Sequence, residues 1–254
     1  MMRLLIFLLS CCVAAAAPAQ SLAPLTGTVI VGSAGSRIDG SGRQVDQVRS
    51  LGPFSALQAA GPIDIVLKAG DREQITVHFD DNLLSFVETR IVGEAVPTLD
   101  IRILPGAGFK SSRPPKVIVE FRSIEALALR GSGDLVADTV KGKMLAVSIA
   151  ASGDVKINKL DVDVLGVSIA GSGDFAAAGR AAEQGLSIAG SGDINAADLV
   201  GQTVKVRIAG SGDVRVHAEQ MLDVSVAGSG DVIYRGAPVV RKSIAGSGDV
   251  RRAK

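Results

Sequence analysis

The tetrapeptide Gly-Ser-Gly-Asp, or a close copy of it, returns seven times between residues 131 and 249. Its aspartates are Asp134, Asp154, Asp174, Asp193, Asp213, Asp231 and Asp249, at steps of 20, 20, 19, 20, 18 and 18 residues. The apolar triplet before the turn recurs with it: Val147-Ser148-Ile149, Val167-Ser168-Ile169, Leu186-Ser187-Ile188, Val206-Arg207-Ile208, Val224-Ser225-Val226. A near-constant period that carries short strands and a fixed turn dictates stacked copies of one unit.

One unit shows how the stack closes. In residues 155–174, Val155 and Ile157 share a face opposite Lys156. Leu160, Val162 and Val164 alternate with Asp161 and Asp163, and Val167 and Ile169 flank Ser168. Three short strands with apolar residues on one side make a roughly triangular coil. A single coil cannot bury that side alone, so each must stack on the next and pair strand to strand in parallel. The expected fold is an all-β, right-handed parallel β-helix of about 18–20 residues per coil, because parallel crossovers are nearly always right-handed. The coil at 175–193 is the weakest: residues 176–182 are mostly alanine, and a bulge or a helical turn is expected there.

Residues 1–19 read as a signal peptide: Arg3, an apolar run, and Ala17-Pro18-Ala19 as a small-x-small cleavage site. A second reading is a lipoprotein anchored through Cys11, since Leu8-Leu9-Ser10-Cys11 loosely resembles a lipobox. Both cysteines, Cys11 and Cys12, fall in this leader, so a mature chain of about 235 residues holds together without disulfides. Losing Arg3 balances basic and acidic residues, which argues against a nucleic-acid partner. No later segment reaches the length needed to span a bilayer.

Residues 20–42, rich in Gly, Ser and Ala, read as a linker in which residues 26–31 could pair as a strand. Residues 43–123 carry successive strand signals separated by turns such as Ala69-Gly70-Asp71 and Asp80-Asp81-Asn82. They are read as less regular coils at the N-terminal end, with a separate β cap as the alternative. Residues 124–254 are the regular repeat.

Pro53-Phe54-Ser55-Ala56-Leu57, then Gly61-Pro62-Ile63-Asp64-Ile65-Val66-Leu67-Lys68-Ala69-Gly70, then Asp80-Asp81-Asn82-Leu83-Leu84, followed by the Gly-Ser-Gly-Asp coils, resemble the head GIN domain family. Its members carry the label putative auto-transporter adhesin. The resemblance spans roughly residues 44–250. It implies an exported β-helical protein, largely bacterial, and brings no catalytic residues with it. No C-terminal translocator barrel is expected, so the word auto-transporter does not apply literally.

The repeated turn has a structural reading first. Its glycines permit a sharp corner, its Ser is placed to bond to adjacent coils, and its Asp can accept from corner amides. The alternative is a calcium ladder on Asp134, Asp154, Asp174, Asp193, Asp213, Asp231 and Asp249, which stacking would set ~4.8 Å apart. Calcium-binding β-rolls, however, use a Gly-Gly-x-Gly-x-Asp pattern at half this period. Catalysis finds no support: a uniform column gives every carboxylate the same surroundings, whereas an acid–base pair needs two different ones. His78 and His217 alternate outward and read as solvated. Lys156, Lys205, Arg207, Arg215 and Arg241 sit at outward positions. They form either a basic stripe for an anionic glycan or lipid headgroup, or an ordinary face shared with Asp161, Asp163, Asp198 and Asp223.

The expectation is therefore a non-enzymatic, exported protein of the bacterial cell envelope, in the periplasm or at the cell surface. It would serve as a binding or adhesion module for a glycan or another cell-surface ligand, with no metal or cofactor. A polysaccharide-active lyase or hydrolase and a structural envelope component are the alternatives.

Overall fold

The computed structural model describes residues 29–31 and 37–253. The leader, with Cys11 and Cys12, lies outside the described residues. What is described is a parallel β-solenoid of about six turns. Its regular part is built from five long strands, Leu135–Ile149, Val155–Gly171, Phe175–Gly190, Ile194–Gly210 and Val214–Gly228. Each pairs in parallel with the next. Apolar positions stack in files: Val147, Val167, Leu186, Val206 and Val224 form one, and Ile149, Ile169, Ile188, Ile208 and Val226 another.

The strands are longer than the three short pieces per coil expected from alternation. Burial shows why. In Val155–Gly171 the buried side chains are Val155, Ile157, Leu160, Val162, Leu165, Val167 and Ile169, and two exposed residues follow one another at Asn158-Lys159 and at Asp163-Val164. Each doubled outward pair slips the pleat by one residue and bends the chain, while ladder pairing continues through the bend. Val164, expected to face inward, is therefore exposed at a corner. Only the Ser-Gly-Asp corner interrupts the strand. The alanine-rich coil keeps its strand and absorbs its shortfall as a register shift, with no helical turn. Gly179, at φ +124°, sits at that irregularity.

Stacking order departs from sequence order at the N-terminal end. Ala56–Ala60 pairs in parallel with Ala126–Arg130, and Asp64–Ala69 with residues 135–137, so residues 56–67 underlie a coil about seventy positions later. Thr98–Ile103 and Lys116–Phe121 add one more parallel layer. Antiparallel strands then close the stack: Val87–Val92 on Thr98–Ile103, Gln74–Asp80 on Lys116–Phe121, and Gln44–Arg49 on Gln74–Asp80. Within the segment read as a linker, Val29–Val31 and Ile38–Asp39 flank Phe109–Ser111.

One continuous aliphatic core runs from Phe54 to Val250. Each fully buried Val, Leu, Ile or Phe contributes about 1.5–3 kcal/mol of transfer free energy, so the axis of the solenoid carries its stability. Among the described residues no helix is long and apolar enough to cross a membrane.

Candidate functional site

The seven repeat aspartates fall on one corner, and each is tied to the next by its own side chain. The amide of Asp154 donates to Asp134 Oδ1 at 3.1 Å, that of Asp174 to Asp154 Oδ1 at 2.8 Å, and that of Asp193 to Asp174 Oδ1 at 2.8 Å. The pattern continues through Asp213, Asp231 and Asp249 at 2.7, 2.9 and 2.8 Å. In the opposite direction, the amide after each aspartate donates to the next aspartate's carbonyl, as from Val155 to Asp174 at 2.9 Å. Every rung thus holds two hydrogen bonds, one through a carboxylate. At the top, where no further rung is described, Asp249 Oδ1 accepts from Val250 N of its own coil.

The column has an eighth member that the repeat count misses. The Asp134 amide donates to Asp64 Oδ1 at 3.3 Å, and Ile65 N donates to the Asp134 carbonyl at 2.7 Å. The signal was present in Asp64-Ile65-Val66-Leu67, which matches the Asp-apolar-x-apolar start of each coil, with Gly61 three residues before the aspartate as Gly131 is before Asp134.

Close approach explains the glycines. A Cβ on Gly173 would stand 2.2 Å from the Gly153 carbonyl oxygen, and one on Gly190, at φ +151°, would stand 2.2 Å from that of Gly171. Backbone on backbone leaves no room for a side chain. The serine between them bonds across coils through its amide, as Ser172 N does to Ala151 O at 3.1 Å. The bond to the adjacent coil expected of this serine is thus made by its backbone.

Chemically, this corner is a row of equivalent carboxylates, each with one oxygen already accepting an amide. Among the described residues no three Asp, Glu, His or Cys side chains converge on a point that could hold a metal ion. His78 is paired, its Nδ1 lying 2.6 Å from Asp46 Oδ1, and His217 stands on the solenoid wall away from it.

The five outward cations do not form one stripe. Lys156 and Arg215 belong to the column Val136, Lys156, Ala176, Asn195, Arg215, on the face that follows the aspartate corner. Lys205 and Arg241 share a column on the face before it, with Asp223 between them, and Arg207 stands beside Lys205. Sequence alternation finds outward positions but not which face they occupy.

Two grooves run along the wall. One of about 450 Å³ follows the corner, lined by Asp134, Asp154, Asp174, Asp193, Lys156 and Arg215 among others. The other, about 570 Å³, lies on the face before the corner. Its floor is Ala126, Ala128, Ala146, Ser148, Gly166 and Ser168, and Arg130 stands at its rim. Small outward residues in four successive coils create it.

A family model described as putative auto-transporter adhesin, head GIN domain, matches residues 53–238. No curated protein matches the chain. Among solved structures, a putative adhesin from Bacteroides fragilis NCTC 9343 superimposes with a TM-score of 0.81 at 21% identity, covering 85% of this chain and 100% of its own. A putative lipid binding protein from Parabacteroides distasonis ATCC 8503 has a TM-score of 0.69 at 27% identity, covering 86% of this chain and 100% of its own. A putative adhesin from Parabacteroides merdae ATCC 43184 has a TM-score of 0.66 at 22% identity, covering 86% and 99%.

Proposed function

The chain belongs to the head GIN domain family, and from that premise we propose that it is a non-enzymatic, exported binding module of the bacterial cell envelope. It attaches to a glycan or another cell-surface ligand along the flank of its solenoid. Export rests on the leader-like residues 1–19. A binding role rests on the family and on structural neighbours described as putative adhesins and as a putative lipid binding protein.

The observation that carries the reading is the groove of about 570 Å³ floored by Ala146, Ser148, Gly166 and Ser168. It runs across coils, offers hydroxyls at the coil spacing of ~4.8 Å, and is long in the direction an extended ligand would lie. No differentiated acid–base pair lines it.

A block inside the groove tests this. A Cβ on Gly166 meets nothing within 4 Å, so Gly166→Trp fills the groove without disturbing the coil. Glycan arrays and pull-downs from cell surfaces should show a ligand for the wild-type protein and its loss in the variant. Capture of nothing by either protein, or equal capture by both, would remove the groove from the account. Release of new reducing or unsaturated ends from acidic or neutral glycans would instead make the protein an enzyme.

A further inference from the structure

Cations collect on the last coil of the described stack. At the N-terminal cap, Arg43, Arg72, Arg90, Arg102 and Arg122 each stand against a carboxylate. The last coil carries Arg241, Lys242, Arg251 and Arg252, all exposed, and among the described residues none of these four side chains has an ion pair or a hydrogen bond. Its one carboxylate among the described residues, Asp249, accepts from Val250 N.

Two of these cations occupy positions that are aliphatic or aromatic one coil earlier. Lys242 is in register with the buried Val224, and Arg252 with Tyr234. Beside them, Val239 is 66% exposed and Ile244 37% exposed, although Ile244 continues the file of buried isoleucines. Among the described residues, the end of the stack is therefore an amphipathic surface of four unpaired cations set among exposed aliphatic side chains.

The chemistry of that surface selects its partner. A second copy meeting it through the same end would bury Lys242 and Arg252 against aliphatic side chains and like charges without counter-charges, which is strongly unfavourable. A soluble polyanion would satisfy the cations but leave Val239 and Ile244 in water. An anionic lipid surface meets both needs, with phosphates for the cations and the interfacial region for the aliphatic side chains. We propose that the end formed by residues 239–252 docks on an anionic lipid surface, leaving the flanks of the solenoid free. This inference does not depend on what those flanks bind.

Co-sedimentation of the full chain with vesicles tests it. Binding is expected to phosphatidylcholine vesicles containing phosphatidylglycerol and not to phosphatidylcholine alone, and to weaken with salt. Each cation near such a surface contributes about a fivefold factor, so Arg241→Glu, Lys242→Glu, Arg251→Glu and Arg252→Glu together should weaken partitioning by on the order of 100-fold or more. Val239→Asp with Ile244→Asp should weaken it too, while Lys156→Glu with Lys159→Glu, in mid-solenoid, should leave it unchanged. If the quadruple variant fails to fold, Arg241→Gln with Arg251→Gln, both at outward positions, replaces it, with a weaker but definite loss. Equal binding to both vesicles, no binding to the anionic ones at low salt, or full retention by the end variants would overturn the proposal. So would binding to polyphosphate that matches the vesicles and ignores the Val239 and Ile244 changes, because the end would then be a polyanion site.

Discussion

Replacing Asp174 by Ala and by Asn separates the two things its carboxylate does. Its Oδ1 accepts the Asp193 amide at 2.8 Å, a bond to a charged acceptor with a net value of about 1.5–3 kcal/mol. It also faces like charges one coil above and below. At ~4.8 Å, each neighbour costs about 0.9 kcal/mol in water before salt screening. Alanine removes both effects, and the two partly cancel at low salt. Asparagine also removes the charge but keeps an oxygen for the amide, retaining about 1 kcal/mol of that bond. Asp174→Asn is therefore expected to melt above Asp174→Ala by about 2–4 °C at any salt concentration. Both variants should lose ground to the wild type as salt rises, since screening abolishes the repulsion that they relieve. Thermal melts by circular dichroism at low and high sodium chloride, with and without EDTA, provide the measurement. Coincident melting of the Ala and Asn variants would refute the acceptor role. A wild-type melting temperature that EDTA lowers and the variants do not share would make the column a calcium site.

Three further outcomes follow from the same geometry. Gly173→Ala should destabilise by about 1–3 kcal/mol, because its Cβ would press on the Gly153 carbonyl, whereas Gly185→Ala, whose nearest contact is 3.9 Å away, should be near neutral; urea melts compare them. Gln184 is buried at a position that is Leu in the coil before, and its Nε2 donates to the carbonyls of Ala181 and Leu199, so Gln184→Leu leaves those acceptors unpaired and should lower stability by about 1 kcal/mol in the same assay. The Ser41 hydroxyl and Arg43 hold the Asp81 carboxyl below its ordinary range, and Arg72 does the same to Glu120. Depressed folded-state values mean a contribution that is complete above the unfolded value near 4 and lost as pH falls through the folded value. Arg43→Ala with Arg72→Ala should thus be less stable than wild type at neutral pH and equal to it near pH ~2.

The regular half of the fold could be read from the chain because its signals are local. The Gly-Ser-Gly-Asp period gave coil length, and alternation around Lys156 and Ser168 gave the inward side. Three things required the third dimension. Bends occur where the pleat slips, at Asn158-Lys159 and Asp163-Val164, and only those bends say that Lys156 and Lys205 occupy different faces. The first rung, Asp64, was hidden because Pro62-Ile63 stands in place of Ser-Gly, and residues 71–121 intervene before its neighbour Asp134. The acceptor role of each aspartate was anticipated, but not that its donor is the amide of its own counterpart one coil on. The cationic end was legible in principle: setting Val240-Arg241-Lys242-Ser243-Ile244 beneath Leu222-Asp223-Val224-Ser225-Val226 exposes Lys242 at a core position.

Distance between corners is the most direct check on all of this. In a chain with Cys11 and Cys12 replaced by serine, nitroxide labels at Ser152→Cys and Ser229→Cys span four coil steps, through Ser172, Ser191 and Ser211. Pulsed electron resonance should return one narrow peak near ~20 Å, four times the strand spacing. A broad distribution, or a peak far beyond that span, would mean that the aspartate corners do not share one edge.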